Sequence, residues 1–526
     1  MRTLLKGADI LLRKENGYET LHGAYLGVDE AKIDYIGEEK PEKAYDLEKD
    51  MSGRLLAPGL INCHSHIAMT LMRGIGSGLP LQDWLFKAIF PIEDKLVRED
   101  IAAASRFALI EMIAGGTTSF SDMYFFPEET VWAVEEAGIK ANLNRCVQCF
   151  DENQTVEQNT QIPESLALFE KYHGAADGRI HIDFSIHAEY TCKSHIVKAY
   201  SDLCREKGGR MHIHLAETAR EQRECIERYG KTPTEWFESL GTFDSPTAAA
   251  HCVAVTERDM DILKAHGVSV IHNPTSNLKL GSGFAPIRQM MDKGINVTLG
   301  TDGTASNNNL NMFEEMHLAE IMHDGYHNDP TLISTQEVLD MATVNGAKLQ
   351  GRDDTGVLAV GKKADIIAID LSKPHLYPNF DTPALLTCSA QAGDVCMTMV
   401  DGKLLDEKIT VEGLFTTVLK TVVDDGKYMF ATQTDGNDTC KSPMGLFPSK
   451  YIENDLKYVD DAIRAYYGIV PCEECTDCGN PILAVNGRTP QQIAEGTLKN
   501  YGRKLCWKCM AKEINKRKEA KSNAAS

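Results

Sequence analysis

The 526-residue sequence has no uninterrupted apolar stretch long enough to cross a bilayer, which argues against a membrane-spanning protein. Positive charge is in deficit: 55 Lys and Arg against 76 Asp and Glu leave a formal net charge of -21. Nucleic acids and anionic membranes are polyanions, so neither is expected as a partner of the protein as a whole. There is no long low-complexity tract and no internal repeat, and 43% hydrophobic with 25% charged residues is a globular composition. The opening Met1-Arg2-Thr3-Leu4-Leu5-Lys6-Gly7-Ala8-Asp9 turns polar too soon for a secretory signal, so a soluble cytoplasmic protein is expected. The length exceeds what one hydrophobic core usually supports, which implies a large catalytic domain with smaller additions.

Cysteine is not scarce, and its fifteen residues fall into two groups. Cys63, Cys146, Cys149, Cys192, Cys204, Cys225, Cys252, Cys388, Cys396 and Cys440 are scattered, mostly in apolar contexts, and read as small buried hydrophobes in a reducing compartment. Cys472, Cys475, Cys478, Cys506 and Cys509 cluster near the C-terminus.

Short apolar runs punctuated by Gly and charge (Thr3–Leu5, Gly23–Val28, Lys32–Ile36) predict strands before residue 57. From 58 to 356, apolar runs alternate with helix-like stretches. The runs are Ala141–Leu143, Ile180–Ile186, Arg210–Leu215, Ala248–Val253, Val268–His272 and Asn296–Gly300. The helical stretches are Arg98–Ala114, Thr130–Ala137, His195–Lys207, Pro233–Ser239 and Glu257–Ala265. Repeated strand–helix units predict a parallel sheet, and this many fit an α/β (β/α)8 TIM barrel with its chemistry at the C-terminal strand ends. Residues 357–425 return to short strands, which could join residues 1–57 in a flanking β-sandwich. Residues 426–467 read as a linker ending in a helix over 451–467, and 468–526 as a small metal-binding segment.

Leu60-Ile61-Asn62-Cys63-His64-Ser65-His66 ends an apolar run with two histidines one residue apart. A strand alternates faces with period two, so His64 and His66 point the same way and make half of a metal site. His214 ends the run Met211–Leu215, His251 closes Ala248–His251, and Asp302 follows Val297–Thr301. Three histidines and an aspartate at strand ends suit a hydrolytic zinc, which takes nitrogen and carboxylate ligands and leaves a position for water. Such a metal lowers the pKa of water toward neutrality. Each residue taken singly also has a plain structural reading: a hydrogen-bonded histidine, or for Asp302 a helix N-cap. His212 shares strand parity with His214, so spacing leaves open which of them is the ligand.

The order Pro58–His66, His214-Leu215-Ala216-Glu217-Thr218, Ala250-His251-Cys252 and Leu299-Gly300-Thr301-Asp302-Gly303 resembles the amidohydrolase superfamily. Trp84-Leu85-Phe86, Pro91–Leu96 and Asn273-Pro274-Thr275-Ser276-Asn277-Leu278-Lys279-Leu280 resemble its 5'-methylthioadenosine/S-adenosylhomocysteine deaminases, and the similarity runs over about residues 2–425. The resemblance implies a barrel beside a β-sandwich and one divalent metal, zinc, on His64, His66, His214 and Asp302. Binuclear members use a carbamylated lysine on an intermediate strand. The runs here carry Arg145 and His187 instead, which favours a mononuclear site.

The same resemblance implies that Glu217 shuttles a proton to the purine ring, while His251 and Asp302 orient water and accept its proton. Glu93 would accept the ribose hydroxyls, and His187 and Arg145 would lie near the nucleoside and its distal portion, beside the ring contacts of Glu217 and Asp302. Arg145 reads equally as a surface ion pair. The family often has a second arginine after this one. Here Asp151–Gln158 is acidic and polar, so a carboxylate-bearing tail lacks a bidentate partner. The expected substrates are therefore 5'-methylthioadenosine, 5'-deoxyadenosine or adenosine ahead of S-adenosylhomocysteine. Guanine, another aminated heterocycle or a chlorinated triazine is the alternative, and a non-catalytic barrel scaffold a further one. A homo-oligomer is expected.

Cys475-Thr476-Asp477-Cys478 and Cys506-Trp507-Lys508-Cys509 form two C-x-x-C knuckles, the pattern of a tetrahedral structural zinc. Cys472 is spare, and an iron–sulfur cluster is the alternative occupant. The segment has few apolar residues, so metal would supply much of its folding free energy. Its locally basic tail is read as a solvated helix face, and a protein partner for the segment is conceivable. His187-Ala188-Glu189 with Pro471-Cys472-Glu473-Glu474-Cys475 imitates the other zinc deaminase signature, but the halves lie in different expected domains.

Overall fold

The computed structural model describes residues 1–406 except Asn16, together with 476–477, 482, 490–505, 509–510, 512–514 and 516–517. Backbone contacts divide the chain into two units, Met1–Lys87 with Ala104–Ile409, and Ala88–Ala103 with Thr410–Ser526.

The first unit contains two sheets. Strands β1 (Arg2–Lys14), β2 (Gly17–Asp29), β3 (Lys32–Gly37), β4 (Leu47–Asp50) and β5 (Arg54–Pro58) precede the barrel. The barrel strands are β6 (Leu60–Ser65), β7 (Thr117–Tyr124), β8 (Lys140–Val147), β9 (Ile180–Ile182), β10 (Phe184–Ile186), β11 (Met211–Leu215), β12 (Thr247–His251), β13 (Ser269–His272) and β14 (Val297–Leu299). β15 (Ile366–Asp370), β16 (Val395–Val400) and β17 (Lys403–Asp406) follow.

The outer strands form one hydrogen-bonded sheet in the order β17-β16-β15-β5-β1-β2-β3, with β4 on β1. Its core gathers Leu5, Ile10, Leu26, Ile33, Leu56, Ile366 and Met397, so strands from before and after the barrel share one buried layer. The first two short N-terminal runs expected from sequence lie within two thirteen-residue strands, and the third is β3. Polar residues on their open faces hide that length, and register shifts around Ala8 break the alternation.

The barrel strands run parallel in the order β6-β7-β8-β10-β11-β12-β13-β14, with β9 on β8. Their residues are almost all buried, as expected for strands covered on both faces. β9 and β10 split one expected run at Asp183, whose N–H donates to the Leu143 carbonyl. Hydrogen bonds close the remaining seam between β6 and the turn after β14. Asp302 N–H donates to the His64 carbonyl (2.9 Å), Thr301 N–H to Asn62 Oδ1 (3.1 Å), and Asn62 Nδ2 to Thr301 Oγ1 (2.7 Å). Thus Asn62 ties the first strand to the last, and the histidines beside it stand opposite Asp302.

The intervening helices follow their local signals. Pro233–Ser239 starts after Thr232, and Glu257–Ala265 after Thr256, each with a capping box in place. At the start of β8, the Lys140 ammonium is buried between Asp365 (2.5 Å) and Asp401 (2.8 Å), which joins the barrel to the outer sheet. Seven of the described cysteines are buried.

In the second unit, the helix Pro490–Tyr501 contributes Ala494 to a small cluster with Ile482 and Leu505, against which Cys509 packs. Arg503 bridges Asp477 (2.9 Å) and Glu513 (2.8 Å). Cys472, Cys475, Cys478 and Cys506, and the helix expected over 451–467, lie outside the described residues. None of the described helices is long and apolar enough to cross a membrane.

Candidate metal-dependent active site

The strand ends converge as their spacing implies. His64, His66 and His214 form one group of potential ligands and His64, His251 and Asp302 another, each with donor atoms within 4.8 Å. These groups share His64, and all their members are buried. They are the only such groups found among the described residues.

Each imidazole is oriented by the nitrogen it turns away from the centre. His66 Nδ1–H donates to the Met123 carbonyl (2.6 Å), and His214 Nδ1–H to the His187 carbonyl (2.8 Å). In the neutral rings both Nε2 atoms then carry lone pairs, and they face each other at 3.3 Å. The Nε2 of His64 is buried without a hydrogen-bond partner. Buried lone pairs aimed at one point, beside a carboxylate, are what a shared cation satisfies. His66 shows the same demand: burial depresses it, but Asp302 at 3.2 Å outweighs this and holds the imidazole up to about 9. The cavity seeks positive charge next to Asp302, and the donor set fits a divalent metal.

Asp302 itself is fully engaged. Oδ1 accepts Gly303 N–H (2.7 Å), and Oδ2 accepts the hydroxyls of Ser276 (2.6 Å) and Ser306 (2.9 Å). Its backbone has φ 60°, and His251 has φ 73°; both are in the left-handed region that side chains other than glycine seldom adopt. Such conformations cost on the order of 1–3 kcal/mol each and persist where surrounding contacts over-determine them. Gly300 is required for contact: a Cβ there would stand 2.8 Å from the His64 backbone nitrogen.

His251 Nδ1–H donates to Asn277 Oδ1 (2.8 Å), leaving Nε2 as an acceptor 3.8 Å from Glu217 Oε2. Glu217 sits on the turn after β11. The Glu221 carboxylate holds that turn by accepting the N–H groups of Ala216 (2.9 Å) and Glu217 (2.7 Å). Burial, and then the Asp302 charge, push Glu217 up to about 8, so its carboxyl is protonated near neutrality. A buried neutral carboxyl beside a hydrolytic centre can donate a proton.

The structure also separates His212 from His214. His214 joins the ligand group, whereas His212 meets His64 Nδ1 at 2.9 Å. Sequence reasoning quoted Asn273–Leu280 without assigning Ser276 and Asn277 their contacts, and it missed Glu221 altogether. Thr218-x-x-Glu221 is a cap-like signal that marks the last of these.

His187 is beside His214, with ring centroids 4.8 Å apart, and its Nδ1 lies 3.1 Å from Thr191 Oγ1. Arg145 pairs with Glu164 (2.9 Å), donates to the Cys146 carbonyl (2.8 Å) and lies over the Phe125 ring. Glu93 ends the helix Phe90–Glu93, on the segment that belongs to the second unit.

Residues 55–405 match the amidohydrolase family. The 5-methylthioadenosine/S-adenosylhomocysteine deaminase of Caldanaerobacter subterraneus is 44% identical over 409 residues, 78% of this chain and 94% of that protein. The 5'-deoxyadenosine deaminase of Methanosarcina acetivorans is 42% identical over 409 residues, 78% and 93% of the two chains. A zinc-bound adenosine deaminase structure from Xanthomonas campestris has a TM-score of 0.74 at 28% identity, over 80% of this chain and 97% of that one.

Proposed function

Since the chain belongs to the amidohydrolase family, we propose that it hydrolytically deaminates adenosine-type nucleosides to the inosine analogue and ammonia. The observation that carries this reading is the buried Glu217, 3.8 Å from His251, beside a converging cluster of buried histidines and Asp302. The deaminase relatives supply the substrate class, and they favour an adenosine-type nucleoside over guanine or a triazine.

His64, His66, His214 and Asp302 are the proposed ligands of one zinc ion. When bound, the cation lowers the pKa of water and orients it. His251, whose Nε2 is an acceptor, and Asp302 take up the proton that water loses. Glu217 donates its proton to the ring nitrogen next to C6 as the water oxygen bonds to that carbon. The proton taken up from water then passes to the amino nitrogen, the C6 hydroxyl returns a proton to the Glu217 carboxylate, and the C6–N bond breaks to release ammonia, so one water is consumed for each ammonia released. A buried intact cluster with a protonated donor also speaks against the scaffold alternative.

Glu93 is the proposed ribose anchor, since one carboxylate offers two acceptor oxygens to two hydroxyls. His187 and Arg145 are proposed to face the 5' substituent. Because Arg145 is already paired with Glu164, the reading favours neutral substituents over the carboxylate-bearing tail of S-adenosylhomocysteine. The test is an absorbance assay of adenine-to-hypoxanthine conversion on the four 5'-variants, with and without chelator. Deamination that requires metal supports the proposal. Failure on every adenosine, with turnover of guanine or a triazine, overturns it.

A further inference from the structure

His212 is used by nothing in the mechanism, yet it sits in the barrel interior against the proposed metal centre. Its strand, β11, is not a neighbour of β6 in the sheet order, so its contact with His64 crosses the barrel. The register sets His212 beside Ala248 and His214 beside Ala250, and small neighbours leave room for both rings. His212 is 1% exposed.

The three histidine ligands differ in what holds their Nδ1 atoms. For His66 and His214 it is a main-chain carbonyl, which can only accept. For His64 it is the Nε2 of His212 at 2.9 Å, an atom that either donates or accepts depending on the tautomer. One proton lies between these two nitrogens. If His212 Nε2 carries it, neutral His64 must place its own proton on Nε2 and cannot offer that nitrogen as a ligand. If His64 Nδ1 carries it, His64 Nε2 presents its lone pair to the cavity, where no hydrogen-bond partner otherwise meets it. His212 must then hold its own proton on Nδ1, which also lacks a partner.

We propose that His212 is a positioning residue: its Nε2 accepts the His64 Nδ1 proton and thereby fixes His64 as an Nε2 metal ligand. This rests on the metal-site reading above. It gives β11 two functions two residues apart, with His214 as a ligand and His212 as the support of a ligand from the opposite strand.

The test is zinc affinity of the full chain, measured by competition with a chelating indicator after metal removal. His214→Ala defines the barrel contribution, because it removes a proposed ligand. His212→Leu removes the acceptor and is expected to weaken zinc at that site by about 10–100-fold, as loss of a ligand's hydrogen-bond partner does elsewhere. His212→Gln can offer Oε1 near the Nε2 position, and is expected to return affinity to within about threefold of wild type. The cobalt(II) absorption spectrum should follow the same order, with His212→Gln resembling wild type.

Equal zinc affinity in His212→Leu and wild type overturns the proposal, and so does a His212→Gln protein as weak as His212→Leu. If His212→Leu does not give the wild-type circular dichroism spectrum, His212→Met replaces it. Failure of both to fold assigns His212 to barrel stability and also overturns the proposal. Wild-type protein with no His214-dependent zinc overturns the metal reading itself, and that arm is read first.

Discussion

Glu217 and Asp302 are two carboxylates in one cavity with opposite tendencies. Burial and then the Asp302 charge push Glu217 up to about 8. Burial would raise Asp302 as well, but the His64 and His66 imidazoles beside it outweigh this and hold Asp302 well below the usual range. Environments that drive two acids apart assign the proton donor and the anion. Glu217→Gln keeps the shape and removes the titratable proton, so kcat should fall by about 10²–10⁴ with zinc binding retained. A steady-state assay with metal analysis checks both, and unchanged kcat contradicts the assigned role. At this scale the sequence was informative where chemistry recurs at strand ends. Period two aligned His64 with His66, but the same period could not separate His212 from His214. Only the crossing of the barrel does so, because β6 and β11 are far apart in sequence. Ser276 and Asn277 were equally hidden, since a hydroxyl or amide carries no mark of the residue it will orient.

Among the elements, those with strong local signals were read nearly to the residue. Arg98–Ala114, Pro233–Ser239 and Glu257–Ala265 are helices with those bounds. The long β1 and β2 were not, because half-exposed strands with register shifts lose their alternation. Junctions between elements were also invisible. Lys140 at the start of β8 looks like a strand-edge charge, but it is 3% exposed and lies between Asp365 and Asp401. Replacing it with Met leaves the buried Asp365 without its cation and Asp401 with only Lys363 at 3.3 Å, a loss of about 3–5 kcal/mol. Calorimetry should show an apparent Tm lowered by several degrees for Lys140→Met. An unchanged Tm contradicts a stabilising role for this junction.

For the whole molecule, the seam between first and last barrel strands brings the histidines and Asp302 together, and the proposed substrate preference rests on the chain that follows β8. Arg145 spends its charge on Glu164, and Asp151–Gln158 adds no further arginine. The expected consequence is kcat/KM at least about tenfold higher for 5'-methylthioadenosine or 5'-deoxyadenosine than for S-adenosylhomocysteine, the scale of one pocket contact. Steady-state kinetics on the three nucleosides reads this ratio directly. A preference for S-adenosylhomocysteine would contradict it.

The most direct test of the central claim is nucleoside deamination by the full chain before metal removal, after it, and after zinc is restored. The account predicts that 5'-methylthioadenosine is converted to its inosine analogue with ammonia released, that chelation abolishes this, and that zinc brings it back. Full activity in metal-free protein, or no deamination of any adenosine by the zinc-loaded chain, would contradict it.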